Sequence, residues 1–255
     1  MNKVTLFDIP INAISKQETL TLIDNAICNK KQIHHTVINA SKVVLMQSDA
    51  SLYKSVVEAD LINADGMSIV WTSKLFGKAI PERVTGIDLM EDLVKLTYEK
   101  GYKIYFFGAQ QDVLETIVDK YSKKYSPDII AGFHNGYYKI QEEECIAKEI
   151  ADSGAQILFV AINSPIKEIF LHKYKEILKD VYLIMGVGGS FDVISGKVKR
   201  APVWMQNSGL EWLFRLLQEP GRLLKRYTIN NLKFIGLVIK EVFSEKQKIL
   251  RVKNA

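Results

Sequence analysis

The stretch ADLINADGMSIVWTSKLF, residues 59–76, contains a short apolar run, an Asp-Gly turn and then a segment with helical periodicity. The same order of features recurs along the chain, where apolar runs of strand length alternate with helix-like segments. These runs are HTVINA (35–40), KIYFFGA (103–109), DIIAGFHNGYY (128–138), AQILFVAI (155–162) and VYLIMGVGGS (181–190). Such runs, rich in β-branched and aromatic residues, are typical of parallel strands buried on both faces. The sequence therefore predicts an α/β fold with a mostly parallel, Rossmann-like sheet and helices on both faces.

The charge of the chain divides it into two parts. The 255 residues are 47% hydrophobic and 25% charged, which is ordinary for a globular protein and excludes a largely disordered chain. Residues 196–255 carry 13 Lys and Arg against 4 Asp and Glu, whereas residues 1–195 carry 21 against 25. We therefore expect an α/β catalytic core over 1–195 and a basic helical appendage over 196–255. A basic segment suits an anionic partner such as phosphate, nucleic acid or a lipid surface.

Targeting and redox features indicate a reducing compartment. Cys28 and Cys145 are far apart and form no metal-binding motif. The N-terminus carries no recognisable signal peptide, and no stretch approaches the ~20 apolar residues that a membrane-spanning helix needs. We expect a cytoplasmic protein that can rest on a membrane surface.

The C-terminal appendage has helical apolar periodicity. Apolar residues recur at helical spacing over 209–219, Pro220 is suited to start a second helix, and a third stretch places an apolar stripe on one side. That stripe comprises Ile229, Leu232, Ile235, Ile239 and Val242. The pattern fits a packed helical hairpin and a surface that rests in a lipid headgroup layer equally well.

Polar residues and glycines follow several predicted strands. In open sheets of this kind, ligands bind beyond the carboxyl ends of the strands. The residues at these ends are Asn39, Asp65, Gly108, Asn163 and the glycine turn at 186–189. We expect them to converge on one crevice.

Asp65 supports two interpretations. A carboxylate at a strand end can cap the following helix, and on position alone this structural interpretation is favoured. The functional interpretation makes Asp65 a general base that takes a proton from a hydroxyl group. Thr36 and Asn39, at the end of another predicted strand, could then donate hydrogen bonds to a sugar or a nucleotide.

Arg83 follows Asp65 closely and also supports two interpretations. Its guanidinium could bind a phosphate in bidentate geometry. It could equally form a structural ion pair with Glu82 or Asp88. The spacing does not decide between them.

The glycine turns are weak nucleotide signals. GVGGSFD at 186–192 follows a strand, but Phe191 occupies the third glycine position of a GxGxxG motif. A second turn, FFGAQQD at 106–112, is equally weak, and tight strand-to-helix turns explain both. The sequence contains no Asp-x-Asp motif to hold a metal on a diphosphate. A departing diphosphate would then need cationic groups, for which the appendage offers Arg215, Arg222, Lys225 and Arg226.

Several motifs together resemble one family. NADGMSIVW (63–71), PERVTGIDLM (81–90), the FFGA turn (106–109) and the long segment from GVGGSFD to LLKR (186–226) resemble the WecG/TagA/CpsF glycosyltransferases. The resemblance is collinear over about residues 6–226. It implies inverting, metal-independent transfer of an N-acetylmannosamine-type sugar from a UDP donor to an undecaprenyl-diphosphate-linked acceptor. Such a step belongs to bacterial surface polysaccharide or wall polymer synthesis.

The resemblance also implies roles for individual residues. Asp65 matches the base, and Thr36 and Arg83 match polar active-site residues. The positions matching the nucleotide region and the arginines that close over the diphosphate are Gly186, Gly188, Gly189, Asp192, Arg215, Arg222 and Arg226. The chain departs from the family at NSPIKE (163–168), where Lys167 could contact a phosphate or a donor carboxylate.

The expected partners follow from the resemblance. They are a UDP-sugar, a lipid-diphosphate-linked sugar and the inner face of the bacterial plasma membrane, with no cofactor, metal or nucleic acid; self-association is left open. Two other classes compete: an oxidoreductase with a dinucleotide in the glycine turns, and a non-catalytic protein that binds membranes or nucleic acid. The last leaves Asp65 and Arg83 without a purpose.

Overall fold

The computed structural model describes the backbone of residues 2–253 and the side chains of residues 2–221 and 223–243. The strands are β1 (Lys3–Leu6), β2 (Ile9–Asn12), β3 (Ile33–Ile38), β4 (Leu61–Ala64), β5 (Ile104–Gly108), β6 (Ile130–His134), β7 (Ile157–Ala161) and β8 (Leu183–Gly186). The helices of the first two thirds of the chain are α1 (Lys16–Cys28), α2 (Ala40–Met46), α3 (Ala50–Val57), α4 (Met67–Leu75), α5 (Gly86–Lys100), α6 (Gln111–Lys124), α7 (Glu143–Asp152) and α8 (Ile166–Lys173). They are followed by α9 (Ser190–Ile194), α10 (Val203–Asn207), α11 (Glu211–Gln218) and α12 (Pro220–Lys253).

Six strands form one parallel sheet in the order β4-β3-β8-β7-β5-β6. The predicted α/β fold with a mostly parallel sheet is confirmed. From β3 the chain adds β4 at one edge of the sheet, and it then crosses over to build the other half from β5 to β8. The order in which strands are added therefore reverses between the neighbouring strands β3 and β8. In doubly wound sheets, a crevice opens at this point of reversal, beyond the carboxyl ends of the strands.

Helices cover both faces of this sheet, as the apolar runs predict. In β5, Phe106 points into a core shared with α1, α5, α6 and α9. Its neighbours Tyr105 and Phe107 point into the opposite core, which contains α7 and α8. Successive side chains of a strand alternate between faces, so a strand buried on both faces must be apolar throughout.

An antiparallel hairpin of β1 and β2 precedes the sheet and was not predicted from the sequence. It lies beside the edge strand β4, where Asn12 Oδ1 accepts a hydrogen bond of 2.9 Å from the backbone N–H of Ile62. The hairpin thereby covers an outward-facing backbone group of the edge strand.

The second and third helical stretches of the predicted appendage are one continuous helix, α12, which begins at Pro220 as expected. Its packed side is not the predicted stripe. Phe234 is buried and its ring lies 5.6 Å from that of Phe7, whereas Leu232, Ile235 and Ile239 of the stripe are exposed. Helix α12 therefore packs on the core with one side and leaves its apolar stripe open. That residues 196–255 form a separate unit stays a prediction.

Candidate active site

A cleft of about 1280 Å³ opens at the carboxyl ends of β3, β4, β7 and β8. Residues that directly follow these strands line its floor, and α4, α11 and α12 contribute to its walls. Of the sequence-predicted residues, the cleft brings together Asn39, Asp65, Arg83, Asn163, Lys167, Gly186, Gly188, Gly189, Arg215 and Arg226. The predicted convergence on one crevice is thus found for most of the set.

Asp65 does not cap a helix. The N-cap residue of α4 is Gly66, so the cap position holds no side chain, and Asp65 precedes it in the cleft. The interpretation of Asp65 as a helix cap is therefore wrong. Asn39 caps α2 instead, with its Oδ1 accepting from the Lys42 N–H at 3.0 Å, and its side chain also hydrogen-bonds the Asp65 carboxylate. Asn39 thereby positions Asp65.

The surroundings of Asp65 tune its basicity. Burial is the largest influence and the Glu211 carboxylate adds to it, so that the pKa of Asp65 rises to about 6. Arg83, Lys42 and the hydrogen bond from Asn39 act in the opposite direction. A carboxylate with this pKa is mostly ionised at neutral pH and binds a proton more readily than an ordinary aspartate does. These are the properties of a general base.

Arg83 forms an ion pair that the sequence did not suggest. Its Nη1 lies 2.9 Å from Oε2 of Glu211, the first residue of α11. The predicted alternatives, Glu82 and Asp88, have other partners: Glu82 accepts from the Lys16 N–H and Asp88 pairs with Arg200 at 2.7 Å. The pair with Glu211 ties the core to α11 across the cleft.

A buried charge network underlies the floor of the cleft. Glu168 lies between two lysines, with its Oε1 at 2.7 Å from Lys42 Nζ and 2.5 Å from Lys167 Nζ. Burial disfavours the charge on Glu168, but the two lysines outweigh it and hold its pKa well below the usual range. Burial together with Lys42 lowers the pKa of Lys167 to about 8, although Glu168 opposes this change. The sequence analysis did not identify Lys42 as a site residue. The signal that could have found it is a lysine beside the apolar residues of a short helix.

The glycine turn after β8 allows close packing of two cationic side chains. A Cβ atom on Gly186 would lie 3.1 Å from Cδ and Cε of Lys167, and one on Gly189 would lie 2.5 Å from Nη2 of Arg215. Gly188 adopts a positive φ of 54°. Glycine at positions 186 and 189 therefore leaves room for Lys167 and Arg215 beside this turn.

The wall formed by the C-terminal helices carries aromatic and cationic groups. Trp212 meets the ring of Tyr227 at 6.1 Å in an edge-to-face arrangement, and the guanidinium of Arg226 lies 5.2 Å from the same ring. All three residues line the cleft. The side chain of Arg222, which the sequence placed with this group, lies outside the described part of the structure.

Three predicted site residues are absent from the described lining of the cleft: Thr36, Gly108 and Asp192. Thr36 lies inside β3 rather than at its end, and its hydroxyl accepts from Lys42 Nζ at 3.2 Å. Gly108 has a φ of 121°, and a Cβ there would lie 2.6 Å from the Ala161 carbonyl, so close strand packing explains this glycine. Asp192 lies on α9, and its backbone carbonyl accepts from the Val198 N–H.

The described residues lack two features, a metal-binding cluster and a membrane-spanning helix. Among them, no cluster of three or more His, Cys, Asp or Glu side chains is arranged to hold a metal ion. Nor does any helix in the described ranges combine the length and apolarity needed to cross a bilayer. The expected absence of a metal from the reaction stays a prediction.

Comparison with known proteins agrees with the motifs. The model of the glycosyl transferase WecG/TagA/CpsF family matches residues 4–248, a range that includes every residue of the cleft. A relative from Bacillus subtilis strain 168, an N-acetylglucosaminyldiphosphoundecaprenol N-acetyl-beta-D-mannosaminyltransferase, is 35% identical over 198 residues, which are 78% of this chain and 75% of the relative. A relative of the same name from Bacillus spizizenii strain W23 is 37% identical over 189 residues, 74% of this chain and 72% of its own length.

Proposed function

The chain belongs to the WecG/TagA/CpsF family of glycosyltransferases, and from this premise we propose that it transfers an N-acetylmannosamine-type sugar from a UDP donor. The proposed acceptor is N-acetylglucosamine linked through a diphosphate to undecaprenol, as the names of both Bacillus relatives have it. The product would serve bacterial surface polysaccharide or wall polymer synthesis. The competing function, a dinucleotide-dependent oxidoreductase, has less support. Phe191 occupies the third glycine position of the GxGxxG motif, and its ring centroid lies 5.7 Å from that of Phe106 in the core.

The observation that carries the proposal is the position of Asp65. Its carboxylate lies in the cleft and does not cap a helix. Asn39 orients this carboxylate through a hydrogen bond, and the pKa of Asp65 is raised to about 6. In the proposed reaction, the acceptor hydroxyl gives its proton to Asp65 while its oxygen attacks the anomeric carbon of the donor. The bond from that carbon to the diphosphate breaks on the opposite face, so the anomeric configuration inverts.

The departing UDP carries away the electron pair of the broken bond, and cationic side chains stabilise the charge that develops. Arg83, Arg215 and Arg226 line the cleft with the backbone of the glycine turn at 186–189. Lys167 lies at the floor of the same cleft and supplies a further positive charge. These groups take the role that a divalent metal has in many other nucleotide-sugar enzymes, and we expect turnover to persist in a chelator.

The C-terminal helices are the proposed route to a membrane-bound acceptor. Residues 196–255 have an excess of nine basic over acidic side chains, and α12 exposes apolar residues outside the cleft, such as Leu224 and Phe243. Apolar side chains enter a lipid interface while Lys and Arg meet anionic headgroups. We propose peripheral binding to the inner face of the bacterial plasma membrane.

The function is tested by incubating the full-length protein with a panel of UDP-N-acetylhexosamines and a short-chain lipid-diphosphate-N-acetylglucosamine acceptor. We expect mass spectrometry to detect one added N-acetylhexosamine, with the mannosamine donor preferred. Parallel calorimetric titrations with UDP and NAD separate the classes. Binding of NAD but not UDP would support the oxidoreductase, and binding of neither, without transfer, would support a non-catalytic membrane protein.

A further inference from the structure

Part of the cleft lining is apolar, and its residues come from three helices. Leu45 of α2 lies there with Trp71 and Leu75 of α4, and α12 contributes Phe234, Ile235, Val238 and Ile239. We name this region the apolar trough. Resting on the proposed function, we propose that the apolar trough binds the first isoprene units of the acceptor's polyprenyl chain.

The trough keeps large apolar side chains open to solvent inside a concave site. Trp71, Leu75, Ile235 and Ile239 are 51%, 63%, 54% and 51% exposed, yet all four line the cleft. Exposed apolar surface of this kind is typical of a binding site for an apolar ligand. The trough is also anchored, because Phe234 beside Ile235 is buried against Phe7 of the core.

The order of groups along the cleft matches the order of groups in the acceptor. Helix α4 starts two residues after Asp65 and reaches Leu75, about 12 Å further along its axis. Helix α12 places Arg226 and Tyr227 in the polar part and Ile239 about 20 Å further on. Both walls therefore lead from the charged groups of the cleft to apolar ones. A sugar-diphosphate-polyprenol has the same sequence of a polar sugar, two anionic phosphates and a hydrocarbon chain.

A bilayer and a second copy of the chain are the other candidate occupants. Each would meet the whole open stripe of α12, including Leu232, which is 66% exposed but is not part of the cleft. The trough is part of a cleft that α4 and α12 both line, and this concave shape favours a narrow chain over a flat surface. Continuity with the site of Asp65 favours a chain that belongs to the substrate.

The experiment measures sugar transfer by the full-length protein from UDP-N-acetylmannosamine to three soluble acceptors. All carry N-acetylglucosamine diphosphate, and their tails are an ethyl group, a single isoprene unit and a short oligoprenyl chain. For the wild type, we expect KM to fall as the tail lengthens. Leu75→Ser and Ile239→Ser should each reduce the advantage of the oligoprenyl over the ethyl tail about tenfold. Leu232→Ser, on the same helix and similarly exposed, is the matched control and should keep the wild-type advantage.

The outcomes separate the inference from the function. Transfer to none of the acceptors by the wild type would overturn the proposed function and the inference with it. Transfer with a KM independent of tail length, or variants that keep the wild-type tail dependence, would overturn the inference alone.

Unchanged tail dependence with weaker binding to acceptor-free liposomes would assign the trough to the bilayer. Unchanged tail dependence with altered sedimentation would assign it to a second copy. Equal melting temperatures exclude misfolding as the cause of any effect.

Discussion

Nη1 of Arg83 and Oε2 of Glu211 lie 2.9 Å apart, although the two residues are 128 positions apart in the sequence. Arg83 comes from the loop before α5, whereas Glu211 begins α11, so the pair joins the two parts of the chain across the cleft. Glu211 also contributes to the raised pKa of Asp65. One carboxylate of the C-terminal helices therefore influences both the proposed base and an arginine proposed for the diphosphate.

Asp65→Asn should lower kcat/KM by about 10²–10⁴-fold, the usual effect of removing a general base. The amide has nearly the size of the carboxylate, and its oxygen can still accept the hydrogen bond from Asn39, but it cannot take a proton at neutral pH. We expect an unchanged melting temperature and unchanged UDP affinity. A variant that keeps wild-type activity would remove Asp65 from the role of base.

The pH dependence of kcat/KM should report the pKa of Asp65. The active form of a base is deprotonated, so activity should fall as the pH falls through about 6. Glu211→Gln removes a negative charge that raises this pKa, and it also frees Arg83 from its partner. We therefore expect the acidic limb of the profile to move to lower pH and KM for the UDP donor to fall.

Glu144→Gln, which changes a surface carboxylate on α7, is the control and should leave the profile in place. An acidic limb that stays in place in Glu211→Gln would show that Glu211 does not influence the base.

Gly189→Ala should displace the guanidinium of Arg215. The added Cβ would lie 2.5 Å from Nη2, and the long arginine side chain can move away without disturbing the backbone. We expect a KM for the UDP donor about tenfold higher and little change in stability. Gly221→Ala, whose Cβ meets nothing within 4 Å, is the matched control.

A double-mutant cycle checks this interpretation. If Gly189→Ala acts through Arg215, then its effect should largely vanish in an Arg215→Ala background. Fully additive effects of the two changes on donor KM would contradict the contact as the cause.

Glu168→Gln should destabilise the fold by about 3 kcal/mol, because it leaves Lys42 and Lys167 buried without the carboxylate that pairs with both. The measurement is denaturation by urea at neutral pH. Lys148→Ala breaks an exposed pair with Glu144 on α7 and should leave the stability almost unchanged, because solvent screens such a pair. Similar effects of the two changes would show that the buried network contributes no more to stability than a surface ion pair.

The sequence indicated those parts of the fold and site that depend on local patterns. Apolar runs marked the parallel strands, and residues at strand ends located Asn39, Asp65 and the glycine turn. The pairs Arg83–Glu211 and Lys42–Glu168 were missed because each joins residues distant in sequence, and spacing carries no information about such contacts. Thr36 was expected at a strand end, but it lies inside β3, where its hydroxyl accepts a hydrogen bond from Lys42 rather than facing the cleft.

The C-terminal helices show a second limit of periodicity. The stripe at Ile229, Leu232 and Ile235 follows the helical period well, but it is the exposed side of α12. The side that packs contains Phe234 and a buried Asn230. Periodicity finds an apolar side of a helix but does not tell whether protein, lipid or substrate covers it.

Binding to anionic liposomes should depend on the basic residues of α12. Deleting residues 196–255 would uncover the core around Phe234 and could unfold the protein, so charge substitution is the cleaner test. Lys225 and Lys233 are exposed, and each Lys→Gln change should weaken binding about fivefold at low salt, the effect of one basic residue near an anionic surface. The same changes at Lys30 and Lys179, which are exposed lysines within residues 1–195, are the control. Sedimentation with vesicles of anionic and of neutral lipid is the measurement. Equal losses at both pairs of lysines would mean that net charge, rather than α12, directs the protein to the membrane.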